Sequence, residues 1–356
     1  MTKRIECIDG WRAIAAIGVL YGHILGTLQT PVCFIGKVDI LKILNLWGYG
    51  VHLFFVISGF CFFLVLDGKD DNSFNSALQF WKKRWIRIAP AFYISCIVYA
   101  LLQYKMLGNY FLPALAANFL FIQPYLPHVS INSIYWSLST EWLFYMVLPL
   151  LFLFIKKSNI YKVIFFILVF GLALNLIHYK GFIYTDDTSW QYTFFANFEH
   201  FAWGILISYL FKNDLIKTKI INGKIGFAIG LLIAYMGKIF FTAAFVLKAG
   251  KYGFLFQSIG PLTMTFGFSW MILNSLNNSF IFKMIGNKVL VFIGRISYSF
   301  YLWHTLVLGL VYENFKSYFP ATAYGVVLLM ATTLVILIPF SLLSYKLLEA
   351  FYFKKK

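Results

Sequence analysis

Residues 11–28 read WRAIAAIGVLYGHILGTL, an apolar run that nevertheless opens on Arg12 and carries His23 within it. A hydrocarbon core of about 30 Å takes about 20 residues of helix, so this stretch predicts a membrane span. A cleaved leader is the competing reading, because Lys3 and Arg4 precede the run. Against it, Arg12 and His23 interrupt the apolar sequence, and no small-x-small cleavage site follows near Thr27–Thr30. The segment therefore reads as a retained first helix. Ionisable groups within a span are costly in lipid, which makes this arginine and histidine the first candidates for a working site.

The rest of the chain repeats the pattern. Of its 356 residues, 61% are hydrophobic and 12% charged, about half the charge density of a soluble domain. Apolar runs predict spans near 11–29, 48–66, 85–107, 134–155, 161–179, 193–211, 224–247, 252–276, 289–312 and 321–349. The run 111–123 contains Pro113 and stops at Pro124; it is too short to cross and reads as a re-entrant or interfacial piece. The expected fold class is all-α: a polytopic transmembrane helix bundle of about ten spans. A single domain over residues 1–356 is expected, with no linker and no appended soluble domain.

A net charge of +17 raises the question of nucleic acid, but the basic residues sit in short clusters between apolar runs. With the N-terminus placed inside, twenty of the thirty lysines and arginines fall in alternate, cytoplasmic loops and seven in the opposite ones. That bias is the topological signature of membrane proteins. It puts both termini in the cytoplasm of a protein of the cell's inner membrane, with membrane lipid rather than nucleic acid as its partner. Cys7, Cys33, Cys61 and Cys96 are widely spaced and form no metal-type pair, so neither a metal nor redox chemistry is expected.

Four constellations place polar groups where lipid forbids them. In the first, Asp9 and Arg12 stand at the start of the first span and His23 eleven residues beyond Arg12. Eleven residues make about three turns, so Arg12 and His23 share a face about 17 Å apart. Arg12 can instead snorkel to the interface; an imidazole in hydrocarbon can move protons near neutral pH. The second is Ser58–Gly59 within FFVISGF at 54–60, which by itself reads as close helix packing. The third is Arg84 and Arg87 beside Lys82 and Lys83. Residues three apart share a helix face, and a guanidinium fork suits phosphate; ordinary positive-inside charge is the plainer reading. The fourth is WSLSTEW at 136–142, which sets Ser137 and Glu141 in the fourth span. Glu141 lies about 10 Å deep from the outer end, near the depth of His23, which suggests an acid–base pair in a shared cavity. Weaker candidates are His304 at mid-span and the Glu199–His200 pair, while His52, His128 and His178 fall at span ends, where a solvated histidine is expected.

These segments, in this order, resemble the membrane acyltransferases of the acyltransferase 3 family. The resemblance rests on Arg12-x10-His23, FFVISGF at 54–60, Arg84-x-x-Arg87, WSLSxE ending at Glu141 and ISYSxYLWH ending at His304, and runs from Asp9 to Glu349. Members of that family move an acyl group, usually acetyl, from cytoplasmic acyl-CoA to a sugar hydroxyl of an envelope glycan or glycoside. The resemblance therefore implies acetyl-CoA or another acyl-CoA as donor substrate, with no permanently bound cofactor, and an envelope glycan or lipid-linked sugar as acceptor. It implies that Arg84 and Arg87 hold the CoA phosphates and that Arg12 and Asp9 line the donor path. His23 would act as the base or transient acyl carrier, and Glu141 would orient it or the acceptor. Ser58, Ser137 and His304 complete the expected pocket.

Two other readings compete. A transporter or flippase for a lipid-linked sugar also uses intramembrane His, Glu and Arg as a proton relay, but such proteins often show internal repeats and no convincing one is visible. The membrane-bound O-acyltransferases use a buried histidine too, without a matching Asn/His spacing here. Acceptor choice would reside in the outward loops 30–47, 108–133 and 180–192.

Overall fold

The computed structural model describes residues 4–67, 74–126, 128–157, 159–180, 190–215, 223–246 and 253–351. Lys3, Lys69, Lys217, Lys219, Lys248, Lys251 and Lys354 to Lys356, which carry part of the charge bias, lie outside them, as does most of the loop 180–192. Among the described residues, ten helices reach fifteen residues or more. They are α1 (Glu6–Thr27), α2 (Gly50–Asp67), α3 (Phe74–Leu102), α4 (Trp136–Lys157), α5 (Ile160–Tyr179), α6 (Phe198–Lys212), α7 (Gly223–Val246), α8 (Gly253–Asn277), α9 (Ser297–Phe315) and α10 (Ala323–Ser344). The one sheet among these residues is a two-residue hairpin, Phe34–Ile35 against Val38–Asp39. The protein is helical, as the apolar runs require.

Five stretches among the described residues are long and apolar enough to cross a membrane: Ile40–Val65, Phe74–Leu102, Ile160–Tyr179, Gly223–Ala243 and Ala323–Glu349. Other long helices mix polar groups into their apolar sequence, notably Asp9, Arg12 and His23 in α1 and Glu199 and His200 in α6.

Several boundaries differ from expectation. The third helix begins at Phe74, not near residue 85, so the Lys82–Arg87 cluster lies inside a helix of 29 residues. Lysine and arginine are good helix formers, and about 44 Å of helix exceeds the hydrocarbon thickness. The predicted span 289–312 is broken. A short helix, Lys288–Arg295, is capped by Asn287, whose side chain accepts from the amides of Val289 and Leu290. It stops at Ile296 before α9 begins. The sixth helix starts only at Phe198, after turns over 191–197. The 111–123 piece is a nine-residue helix, Phe111–Phe119, too short to cross.

Two compact units interleave along the chain: Met1–Arg4, Phe55–Trp85 and Cys96–Phe282 form one, and Ile5–Phe54, Ile86–Ser95 and Lys283–Lys356 the other. In the first, α2 and α4 run parallel. Phe55 meets Trp136, Ser58 meets Glu141, Phe62 meets Tyr145 and Phe63 meets Phe152, the numbers rising together. Helix α6 closes on α2 where glycines permit it: a Cβ on Gly59 would stand 2.2 Å from the Phe201 carbonyl oxygen, and one on Gly204 2.0 Å from that of Val56. In the second unit α1 packs against the Lys288–Arg295 helix, α9 and α10. There a Cβ on Gly294 would fall 1.9 Å from the Asp9 carbonyl oxygen.

Candidate functional site

Each unit holds a polar centre. In the second unit, His23 of α1 lies against His304 of α9, their ring centres 5.1 Å apart and their planes at 53°. His304 is buried, at 1% exposure, whereas His23 is half-buried. The Nδ1 of His304 is 2.6 Å from the carbonyl oxygen of Tyr301, one turn earlier. A carbonyl oxygen can only accept, so Nδ1 carries the hydrogen and Nε2 of the neutral ring is a bare acceptor. That atom is buried without a hydrogen-bond partner. The arrangement pairs an accessible imidazole with an enclosed one whose free lone pair remains unused.

Arg12 is on the same helix as His23, and its guanidinium bonds the Asp9 carboxylate at 3.2 Å. Asp9 is 1% exposed and Arg12 20%, so the carboxylate holds the arginine from the enclosed side. The close approach of Gly294 to the Asp9 carbonyl, and of Gly10 to the Ile285 carbonyl, holds the start of α1 against this stretch of the second unit.

In the first unit Glu141 is the centre. Its Oε1 accepts from Ser58 Oγ at 2.6 Å and from the hydroxyl of Tyr145. The parallel register of α2 and α4 produces the first bond, and the i to i+4 spacing of Glu141 and Tyr145 on α4 produces the second. Ser58 and Gly59 thus divide their work: the serine faces Glu141, and the glycine lets α6 approach. Ser137, one turn from Glu141, turns its hydroxyl to the Ile134 carbonyl at 3.0 Å. Arg84 is 8% exposed, and its guanidinium lies 4.4 Å over the ring of Phe62 and 5.3 Å over that of Phe80. Stacking uses the face of the guanidinium and leaves its donors at the edge. Arg87 falls in the second unit, where its charge acts on the buried carboxylate of Glu349. His23 and Glu141 belong to different units, and each has partners within its own.

Other polar groups, among them the weaker candidates Glu199 and His200, have partners that the sequence reading did not name. Glu199 is buried and accepts from Asn175 Nδ2 at 2.9 Å, while Trp190 Nε1 donates to Asn175 Oδ1 at 2.8 Å. A ring nitrogen of His200 is 3.2 Å from Thr265 Oγ1. His178 is not a solvated span-end histidine; it is buried and stacked on Trp190, ring centres 4.6 Å apart. Ser299 donates to Glu349, and Trp303 Nε1 donates to Ser344 Oγ. Tyr145 alone had a readable signal, its spacing from Glu141. Among the described residues no group of three or more potential metal ligands gathers.

Apolar helices that enclose imidazole, carboxylate and guanidinium groups define a polytopic membrane protein with acid–base groups inside its helices. The chain belongs to the acyltransferase 3 family, whose profile, described as an acyltransferase domain, matches residues 5–342. A Staphylococcus aureus (strain COL) protein named "Putative O-acetyltransferase" is 26% identical over 98% of this chain and 57% of its own length. The O-acetyltransferase OatA of S. aureus (strain NCTC 8325 / PS 47) is 24% identical over 96% of this chain and 56% of its own. A protein of Acidianus two-tailed virus named "Putative acetyltransferase" is 27% identical, with 83% and 81% covered. The chain thus spans little more than half the length of the staphylococcal relatives. No solved structure matches it significantly.

Proposed function

We propose that the protein is a membrane O-acyltransferase of the cytoplasmic membrane, crossing about ten times with both termini inside. It moves an acyl group, acetyl by analogy with the relatives' names, from cytoplasmic acyl-CoA to a sugar hydroxyl of an envelope glycan or glycolipid. The observation that carries this reading is the half-buried His23 imidazole within an acyltransferase-family helix, backed by an enclosed second imidazole.

In this scheme His23 takes the proton of the acceptor hydroxyl as its oxygen attacks the thioester carbonyl. The C–S bond breaks, and the departing thiolate receives the proton from His23, giving an ester and free CoA thiol. A sugar hydroxyl is a poor nucleophile near neutral pH, and a positioned base contributes typically about 10²–10⁴-fold. Glu141, fixed by Ser58 and Tyr145, orients the reacting groups through its charge. Arg84 and Arg87 offer donors to the CoA phosphates, and Arg12, held by Asp9, lines the donor path.

Two measurements test the reading together. Surface glycans from cells with the gene should carry acyl groups missing from cells without it, and purified protein in lipid discs should release CoA thiol from acetyl-CoA when glycan is supplied. Unchanged glycans with no thioester consumption would overturn it, and glycan loss without thioester consumption would point to a transporter.

A further inference from the structure

We propose that His304 is the positioning residue for His23: its bare Nε2 accepts a hydrogen bond from one ring N–H of His23 and thereby leaves the other nitrogen of His23 as the base. The inference rests on the assignment of His23 as base and adds to it the group that sets its tautomer. It begins with the Tyr301 carbonyl, which fixes the hydrogen of His304 on Nδ1. The buried Nε2 then needs a donor, since enclosed polar atoms are seldom left unpaired. His23 is the neighbouring group that can supply one, with its ring centre 5.1 Å away. The proposed bond requires the His23 ring to turn about its Cβ–Cγ bond until one N–H faces that nitrogen.

The result is a chain: Tyr301 carbonyl, His304 N–H, His304 Nε2, His23 N–H, His23 lone pair. A buried acceptor behind a catalytic histidine has two effects in acyl transfer: it selects the reactive tautomer and steadies the imidazolium that forms. Here a neutral imidazole, anchored on a backbone carbonyl, takes the place a carboxylate usually fills. This suits a site among apolar helices, where a second fixed charge is costly. His304 itself never meets the acceptor, being buried while His23 is half-buried.

The competing explanation is packing, because His304 also lies 5.4 Å from the Tyr301 ring, which in turn meets Phe54. The test uses His304→Phe, which keeps a ring but removes the acceptor, and His304→Gln, whose amide can place an acceptor near the position of Nε2. Each is compared in lipid discs with wild type, using acetyl-CoA and envelope glycan prepared from cells lacking the gene. His304→Phe should lower kcat about 10–100-fold, a part of what a base contributes, with KM for both substrates within about twofold. His304→Gln should recover most of kcat, and adding His304→Phe to His23→Ala should cost nothing further, as expected of residues acting as a unit. Near-wild-type kcat in His304→Phe, or His304→Gln no better than His304→Phe, overturns the inference. The two readings fail separately: an active His23→Ala removes the base itself, whereas an inactive His23→Ala beside an active His304→Phe removes only the role of His304.

Discussion

The two polar centres are built from similar parts and differ in what they leave free. At Glu141 two hydroxyls converge on one carboxylate oxygen, so the acceptor is engaged before any substrate arrives. At His23 the reverse holds: its ring lies against that of His304, one nitrogen of His304 is fixed on a carbonyl, and its Nε2 has no partner. A group that is already satisfied serves to position, because using it as a base would first break its bonds. The half-buried His23 ring, which has no such bonds to break, can serve chemistry. The histidine centre is accordingly assigned the proton transfer and the glutamate centre the orientation.

The sharpest way to break this comparison is to delete the half-buried imidazole. His23→Ala should abolish transfer by about 10²–10⁴-fold while expression and membrane insertion stay near wild type, since the half-buried ring leaves little void. Acyl transfer to glycan, measured in membranes with equal amounts of each variant, decides it. If Glu141→Gln were the more damaging change, the assignments of the two centres would have to be exchanged.

Glu141→Gln keeps the shape and one accepting oxygen but loses the charge. Hydrogen bonds to charged groups contribute about 1.5–3 kcal/mol, so turnover should fall roughly 10–100-fold. The fall should appear in kcat, with KM for acetyl-CoA nearly unchanged. A rise in KM alone would place Glu141 with the donor and not with the reacting groups.

How much of this was legible in the sequence follows from the range of each interaction. Helices over the apolar runs were readable because burial in lipid needs only length and composition. The true start of α3 at Phe74 was not, since hydropathy discards Lys82, Lys83 and Arg84 although they are good helix formers. The break at Ile296 was hidden for the opposite reason: flanking residues remain apolar, and the neighbour that Gly294 approaches, the Asp9 carbonyl, lies in a distant part of the sequence. His23, Arg12 and Glu141 stood out as charges in spans. Their partners did not, because His304 is 281 positions from His23 and Ser58 is 83 from Glu141. His178 was misread because its stacking partner, Trp190, is twelve positions away and no local pattern announces the contact.

Donor binding belongs to neither centre, and separating it sharpens the division further. Arg84→Ala and Arg87→Ala should each weaken acetyl-CoA binding about tenfold, the lower end for a charge-assisted bond. Lys82→Ala should change it less than about twofold, as expected of an exposed charge. Arg84→Ala should also lower thermal stability, because it removes the stacking on Phe62 and Phe80. Equal effects from all the basic residues of this turn would make the arginines a topological signal and not a phosphate site.

The smallest expected effect separates two neighbours. Ser58→Ala removes one of two donors to Glu141 and leaves Tyr145 in place; a single hydrogen bond of about 1 kcal/mol makes this a fall in kcat of about fivefold. Thermal unfolding should hardly move, since the serine takes no part in the approach of α6. Gly59→Ala should do the opposite. Its new Cβ would meet the Phe201 carbonyl at 2.2 Å, and overpacking of this kind costs roughly 1–3 kcal/mol, so the protein should unfold earlier while the folded fraction keeps its turnover. Activity per folded molecule and melting temperature, measured on the same two samples, test this directly. If Ser58→Ala lowers stability as much as Gly59→Ala, the serine is a packing residue like its neighbour, and Tyr145 alone holds Glu141.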